Sequence, residues 1–181
     1  MPNIHLYIAA TLDGYIARED GRLDWLDNLP NPEQSDYGFH DFFAGMDTVV
    51  MGRRTYEEIL GFGVEWPYKK CISYVATRQP DYKLQTPDTE LLNPLSPAAI
   101  EKLRKQSKKD IWLIGGGELV TAFLDQHAID ELWLFLVPTL IGAGIPLFPG
   151  QPAETKWELL QSTPYPNGAV MLRYAMQKKG R

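Results

Sequence analysis

Three short stretches collect residues able to hold a phosphate. Residues 110–120, DIWLIGGGELV, end an apolar run in Gly115, Gly116 and Gly117, followed by Glu118 and Leu119 at the start of a helix-like segment. MGRRTY closes a second apolar run with Gly52, Arg53, Arg54 and Thr55, and ATRQP closes a third with Thr77 and Arg78. Consecutive glycines weaken a backbone, so they are kept where Cβ atoms would obstruct something: a tight strand-to-helix turn, or a ligand drawn against the main chain. At such a junction the free N–H groups and dipole of the helix start favour an anion. Arginine adds a donor fork suited to phosphate, and two adjacent cations at a helix start are disfavoured unless an anion joins them. In an open α/β sheet, ligands bind outside the carboxyl ends of the strands. Three anion-accepting ends therefore suit a long body with phosphates at both ends, such as a dinucleotide with an extra ribose phosphate.

The elements that must carry these ends are legible as patterns. Apolar runs at residues 4–10 (closed by the turn Asp13-Gly14), 47–51, 71–76 and 111–114 fit strands buried on both faces. Helical segments are predicted at residues 39–46, 55–60, 97–107 and 118–126, the third with Ser96 as N-cap and Pro97 at its first position. Residues 131–141, 156–162 and 169–177 read as long strands with no helix between them. The sum is an α/β fold: a mixed, mostly parallel central sheet flanked by helices, finished by antiparallel C-terminal strands. Residues 142–152, rich in Pro and Gly, are predicted to be a surface loop.

At 181 residues, 44% hydrophobic and 23% charged, the chain suits one soluble domain, 1–181, able to bury a sizeable core. A net charge of -5 argues against nucleic acid as a partner, since phosphate neutralisation needs a basic face. The single cysteine, Cys71, excludes an internal disulfide framework and a multi-cysteine zinc site; within CISYV it reads as a buried small hydrophobe. His5, His40 and His127 have no paired ligand spacing, so no metal is expected. The first residues lack a basic leader region, and no apolar run approaches the ~20 residues of a membrane span. A cytoplasmic protein acting on a small-molecule substrate, with no membrane partner, is the expectation.

IAATLDGYIA, GRLDWL, DTVVMGRRTYEEI, ATRQP, IWLIGGGELV and DELWLFLVPTLIGAGIPLF follow one another across nearly the whole chain. In that order and spacing they resemble the dihydrofolate reductase fold family, and within it the branch of the reductase domain of the riboflavin-biosynthesis deaminase-reductase. The resemblance implies NADPH as cofactor. Arg53, Thr77 and Arg78 would hold the adenosine 2′-phosphate, and Gly52, Arg54 and Thr55 the pyrophosphate. Gly115, Gly116 and Gly117, with Glu118 and Leu119 behind them, would lie under the pyrophosphate and nicotinamide ribose. Backbone groups of Ala10 and Ile16 would meet the carboxamide. The zinc signature of the deaminase half, HxE with PCxxC, finds no match in a chain with one cysteine.

Counting back from MGRR, the family's catalytic carboxylate falls on Asp36, whose desolvation beside the nicotinamide would raise its pKa; Ser35-Asp36 reads equally as a helix N-cap. Asp13 competes as proton source and reads equally as a turn aspartate before glycine. Trp25 and Tyr37 are candidates to line the substrate pocket, although aromatics spaced like Tyr37, Phe39, Phe42 and Phe43 also fit a core. Phe135 stands where folate-reducing members carry a threonine, and a phenyl ring cannot make that hydrogen bond. A phosphorylated riboflavin precursor would need a further cation: Arg18, Arg22, Lys69 or Lys70. The resemblance favours a reductase similar to 5-amino-6-(5-phosphoribosylamino)uracil reductase. The alternatives are a dihydrofolate reductase and a non-catalytic nucleotide-binding protein. A homodimer is expected by the same resemblance and from apolar residues on one strand and its loop, Trp133, Phe135 and Val137 with residues 142–148.

Overall fold

Val49 and Val50 are neighbours on one strand, point to opposite sides, and are both fully buried. Val49 packs in a cluster with Tyr56 and Trp112, and Val50 in one with Leu113, Val120 and Phe123. The continuous apolar run thus marks a strand sandwiched between two helical layers. The computed structural model describes residues 1–177. In chain order its elements are β1 (Ile4–Thr11), β2 (Tyr15–Ala17), α1 (Asp24–Asp27), α2 (Phe39–Ala44), β3 (Met46–Gly52), α3 (Arg53–Gly61), β4 (Ile72–Ala76) and β5 (Thr89–Leu92). They continue with α4 (Pro97–Gln106), β6 (Asp110–Gly115), α5 (Gly117–Asp125), β7 (Glu131–Val137), β8 (Ile145–Pro146), β9 (Trp157–Pro164) and β10 (Val170–Met176).

Eight strands form one sheet in the order β5-β4-β3-β6-β1-β7-β10-β9. Pairings from β5 to β7 are parallel, and β10 pairs antiparallel with both β7 and β9. One face carries Leu6, Val50 and Leu113 against Ile100 and Leu103 of α4 and Val120 and Phe123 of α5. The other carries Val49, Val75 and Trp112 against Phe42 of α2 and Tyr56 and Ile59 of α3. A third cluster joins Trp25 of α1 to Phe135, Val137 and Met171. The chain places β6 between β3 and β1, so Gly115 stands beside Met51, and Gly52 beside Ala76 of β4. This brings the ends of β3, β4 and β6 to one edge of the sheet. Ser96 caps α4 as expected, its Oγ accepting from Ala99 N at 3.2 Å with Pro97 at the first position.

The structure departs from the sequence pattern in four places. β7 stops at Val137, not at residue 141, because Pro138 has no N–H and the chain then bends across the end of β1, where Leu12 N donates to Thr139 O at 3.0 Å. β5 went unpredicted because TELL has no apolar run, and α1 and the β2–β8 pair are too short to show a period. The loop from residue 142 is stitched down: Leu147 N donates to Gly14 O and Thr121 Oγ1 to Pro149 O. Finally, of the residues expected to form an exposed apolar surplus, Trp133 is half-buried and Phe148 40% exposed, while Phe135, Val137 and Leu147 are buried. They are 4%, 0% and 3% exposed, the first two covered by Trp25, Ala169 and Met171 of the same chain.

Candidate active site

The glycine triplet divides into three roles. Gly115, at φ +126°, occupies a conformation that favours glycine, and its peptide bond to Gly116 is cis. Gly117 is a packing glycine, since a Cβ there would lie 2.5 Å from Pro146 O and 2.8 Å from Pro149 Cδ. Gly116 is neither: its φ is -66°, and a Cβ would stand 3.6 Å from Thr55 Oγ1, in ordinary contact. A Cβ on Gly52 would likewise sit 3.8 Å from Gly115 O and 3.9 Å from Gly116 N. The starts of α3 and α5 therefore open side by side, Gly52 and Gly116 being their N-cap residues, and neither cap residue supplies a side-chain acceptor. The N–H groups that open a helix have no partner one turn back, although that of Leu119 donates to Gly116 O, and the two starts lie next to each other.

Arg53, Arg54 and Thr55 stand at the start of α3, and Thr77 and Arg78 follow β4, the strand beside β3. Arg53 and Arg54 occupy the first turn of α3, with no acidic residue there to offset them. Arg53 Nη1 donates to both oxygens of Glu57, at 2.8 and 2.9 Å, and its guanidinium lies 6.0 Å from the centre of the Tyr82 ring. Thr77 Oγ1 accepts from Gln79 N in the turn after β4, and Arg78 is exposed beside it. Ala10 is the next-to-last residue of β1, and Ile16 lies on β2. Glu118 is exposed at the start of α5. Leu119 stands apart: its side chain is in the core and its N–H donates to Gly116 O, so it presents nothing between the two helix starts.

The two candidate acids are both held ionised. Asp36 is exposed and accepts from His40 N and Gly38 N, each at 3.0 Å. Those backbone donors, His40 first, lower its pKa below the ordinary carboxyl value, where desolvation had been expected to raise it. Asp13 accepts from the Thr11 hydroxyl, from Ile141 N and from Gly142 N, and the Thr11 bond is the largest cause of its lowered pKa. Asp13 clamps the loop after β7 to the end of β1. A carboxylate so held is a poor proton donor near neutrality.

Trp25 and Tyr37 do meet, over Phe135. The Tyr37 ring lies 4.7 Å from that of Phe135 and 4.9 Å from that of Tyr165, its O accepts from Tyr165 Oη, and its hydroxyl accepts from Asn167 Nδ2. Trp25 is 5% exposed, and its Nε1 has no partner among the described residues. Phe39, Phe42 and Phe43 instead pack around Trp112, as core. Of the four cations suggested for a substrate phosphate, all but Lys70 are paired among the described residues, Arg22 only through an exposed ion pair. Arg18 is bound bidentate to Asp24 at 2.6 and 2.8 Å, and Arg22 to Asp20 at 2.6 Å. Lys69, paired with Glu65, and Lys70 precede β4, at the opposite edge of the sheet. Glu57, Tyr82, Tyr165 and Asn167 were not singled out from sequence; only the i,i+4 spacing of Arg53 and Glu57 gave a local signal.

Over residues 2–171 the chain matches the family of the RibD C-terminal domain. It belongs to that family. The uncharacterized protein YwjB of Bacillus subtilis (strain 168) is 40% identical over 169 residues, covering 93% of this chain and 95% of that protein. A solved Shewanella sp. PV-4 protein bearing a provisional riboflavin-biosynthesis name superposes with a TM-score of 0.86 at 30% identity, covering 98% of this chain and 100% of its own. Dihydrofolate reductase from Enterococcus faecalis, solved with NADP(H), gives 0.70 at 20% identity, with 97% of each chain covered, which shows a shared fold.

As a RibD C-terminal domain, the chain offers a shelf at the starts of α3 and α5. Among the described residues no group of three or more His, Cys, Asp or Glu is placed to hold a metal ion, and no helix is long and apolar enough to cross a membrane. What the shelf supplies is two uncapped helix starts, a backbone free of Cβ at Gly116, and arginines at the ends of two adjacent strands. That set fits a dinucleotide with an additional phosphate.

Proposed function

We propose that the chain is an NADPH-dependent reductase of one domain that reduces a small heterocycle or its sugar adduct. One observation carries the reading: the uncapped starts of α3 and α5 converge on one crevice with Arg53 and Arg54 at its edge. In this proposal Arg53, Thr77 and Arg78 hold the 2′-phosphate. Arg54, Thr55 and the first-turn N–H groups after Gly52 and Gly116 hold the pyrophosphate. Gly115 and Gly116 let the ribose approach, and Ala10 and Ile16 meet the carboxamide. When bound, NADPH supplies the hydride. The chain's part is to fix the acceptor carbon and exclude water, which the wall of Trp25, Tyr37 and Phe135 suits. Asp36 stays ionised and accepts an N–H of the heterocycle, and water provides the proton.

Two further observations bear on the substrate. Phe135, packed under Tyr37, cannot replace the threonine of folate-reducing relatives, which disfavours dihydrofolate. A solved Thermotoga maritima deaminase/5-amino-6-(5-phosphoribosylamino)uracil reductase shares the fold at 16% identity, with 57% of its own length covered, so a pyrimidine of that kind is the first substrate to assay. Calorimetric titration with NADPH and NADH, then NADPH oxidation with that pyrimidine and with dihydrofolate, tests the reading. Binding without turnover on any heterocycle leaves a nucleotide-binding protein, and no binding removes the proposal. We further propose a cytoplasmic homodimer; light scattering giving a mass near 20.6 kDa would remove the dimer.

A further inference from the structure

We infer that Glu57 sets the cofactor preference of this site by competing with the 2′-phosphate for Arg53. The inference rests on the NADPH reading above. Glu57 lies one helical turn beyond Arg53 on α3, and both of its oxygens accept from the same guanidinium nitrogen, at 2.8 and 2.9 Å. Tyr82, from the loop after β4, closes the arrangement from the other side: its hydroxyl donates to Glu57 Oε1 at 3.1 Å while its ring lies beside the guanidinium. Two side chains, one from α3 and one from the loop after β4, thus clasp the arginine that would read the phosphate. The Arg53 side chain remains 33% exposed, so a ligand can reach the clasp.

The consequences differ for the two nicotinamide nucleotides. A 2′-phosphate arriving at Arg53 must displace a carboxylate or share the guanidinium with it, and two anions within a few ångströms repel. A ribose with a free 2′-hydroxyl instead donates to a carboxylate, the usual way an acidic residue accepts the unphosphorylated ribose. Glu57 therefore lowers the gain that Arg53 gives NADPH and supports NADH in its place. The chain is a reductase with narrowed discrimination, and one side chain holds it there.

Glu57→Gln keeps the length, the helix propensity and an acceptor for Tyr82 while removing the charge. Calorimetry with 2′,5′-ADP and with 5′-ADP as probes reads binding of the adenosine end without turnover. The variant should bind 2′,5′-ADP about fivefold to tenfold more tightly, with 5′-ADP unchanged or weaker. Glu101→Gln on α4, which makes the same change in net charge at a distance, should shift neither. Unchanged or weakened 2′,5′-ADP binding in Glu57→Gln overturns the inference, and so does an equal gain in Glu101→Gln. If the unaltered protein binds 2′,5′-ADP and loses it on Arg53→Ala while Glu57→Gln is silent, only the role of Glu57 falls. If the unaltered protein binds neither nucleotide, the cofactor reading falls with it.

Discussion

Arg53→Ala is the sharpest test of how the shelf reads a phosphate. In the free protein this guanidinium is already paired with Glu57, so its worth to NADPH is a difference between two partners. A hydrogen bond to a charged group contributes about 1.5–3 kcal/mol. Giving up an ion pair in which both side chains are a third or more exposed, as here at 33% and 41%, costs about 0.2–1 kcal/mol. The net gain is about 0.5–2.8 kcal/mol, so Arg53→Ala should weaken NADPH binding roughly 2- to 100-fold. NADH lacks the phosphate and should bind almost unchanged. The thermal midpoint should move little, since only an exposed pair is lost. Calorimetric titrations of both nucleotides at low and physiological salt supply the comparison, and salt should shrink the NADPH effect because the site is solvent-facing. Equal losses for the two nucleotides, or no loss for NADPH, would refute the assignment of Arg53 to the 2′-phosphate.

The glycines separate folding from binding. Gly116→Val should abolish NADPH binding with little change in melting, because its Cβ has room while its methyls enter the crevice. Gly117→Ala should destabilise by about 1–3 kcal/mol, because its Cβ meets Pro146 O and Pro149. Melts showing the reverse order would contradict the division of roles. Asp36→Asn should lower kcat/KM for the heterocycle about 10- to 100-fold, the worth of one charge-assisted bond, with NADPH affinity kept; Gly38, not Asp36, is the N-cap of α2, and the Asn oxygen can still accept one of the two amides that Asp36 holds. Full activity in that variant removes Asp36 from the site. For Asp13 the native pKa is lowered, so its stabilisation is complete above the ordinary carboxyl value of 3.8 and is lost as pH falls through the lower native value. The gap in melting temperature between the unaltered protein and Asp13→Ala should be full at ~pH 6 and close as the pH falls through the lowered native value. A gap that persists in acid would show that the clamp does not act through charge. Burial pushes the Cys71 thiol up to about 11, so a thiol reagent should label it slowly in the native protein and rapidly after unfolding.

Local chemistry alone determined much of this protein. Strands buried on both faces must be continuous apolar runs, which is why β1, β3, β4 and β6 could be read to within a residue or two. Ser96 and Pro97 announce α4 because a cap and a fixed φ act within one turn. The three strand ends proposed to accept phosphate stood out for the same reason: glycine, arginine and threonine advertise their donors without reference to the rest of the chain. Tertiary structure decided everything that depends on who stands opposite. Insertion of β6 between β3 and β1 makes Gly52 and Gly116 neighbours, and no pattern within either stretch encodes that adjacency. The same holds for the glycines individually, since Gly117 is required by Pro146, which lies on β8, far along the chain. Protonation follows the same rule: Asp13 is held ionised partly by amides 128 and 129 residues away. Arg18 and Arg22 looked free in sequence and are bound to Asp24 and Asp20 once the loop folds. A residue type fixes which bonds a side chain can make, but only folding brings the partner within the few ångströms at which hydrogen bonds and packing act.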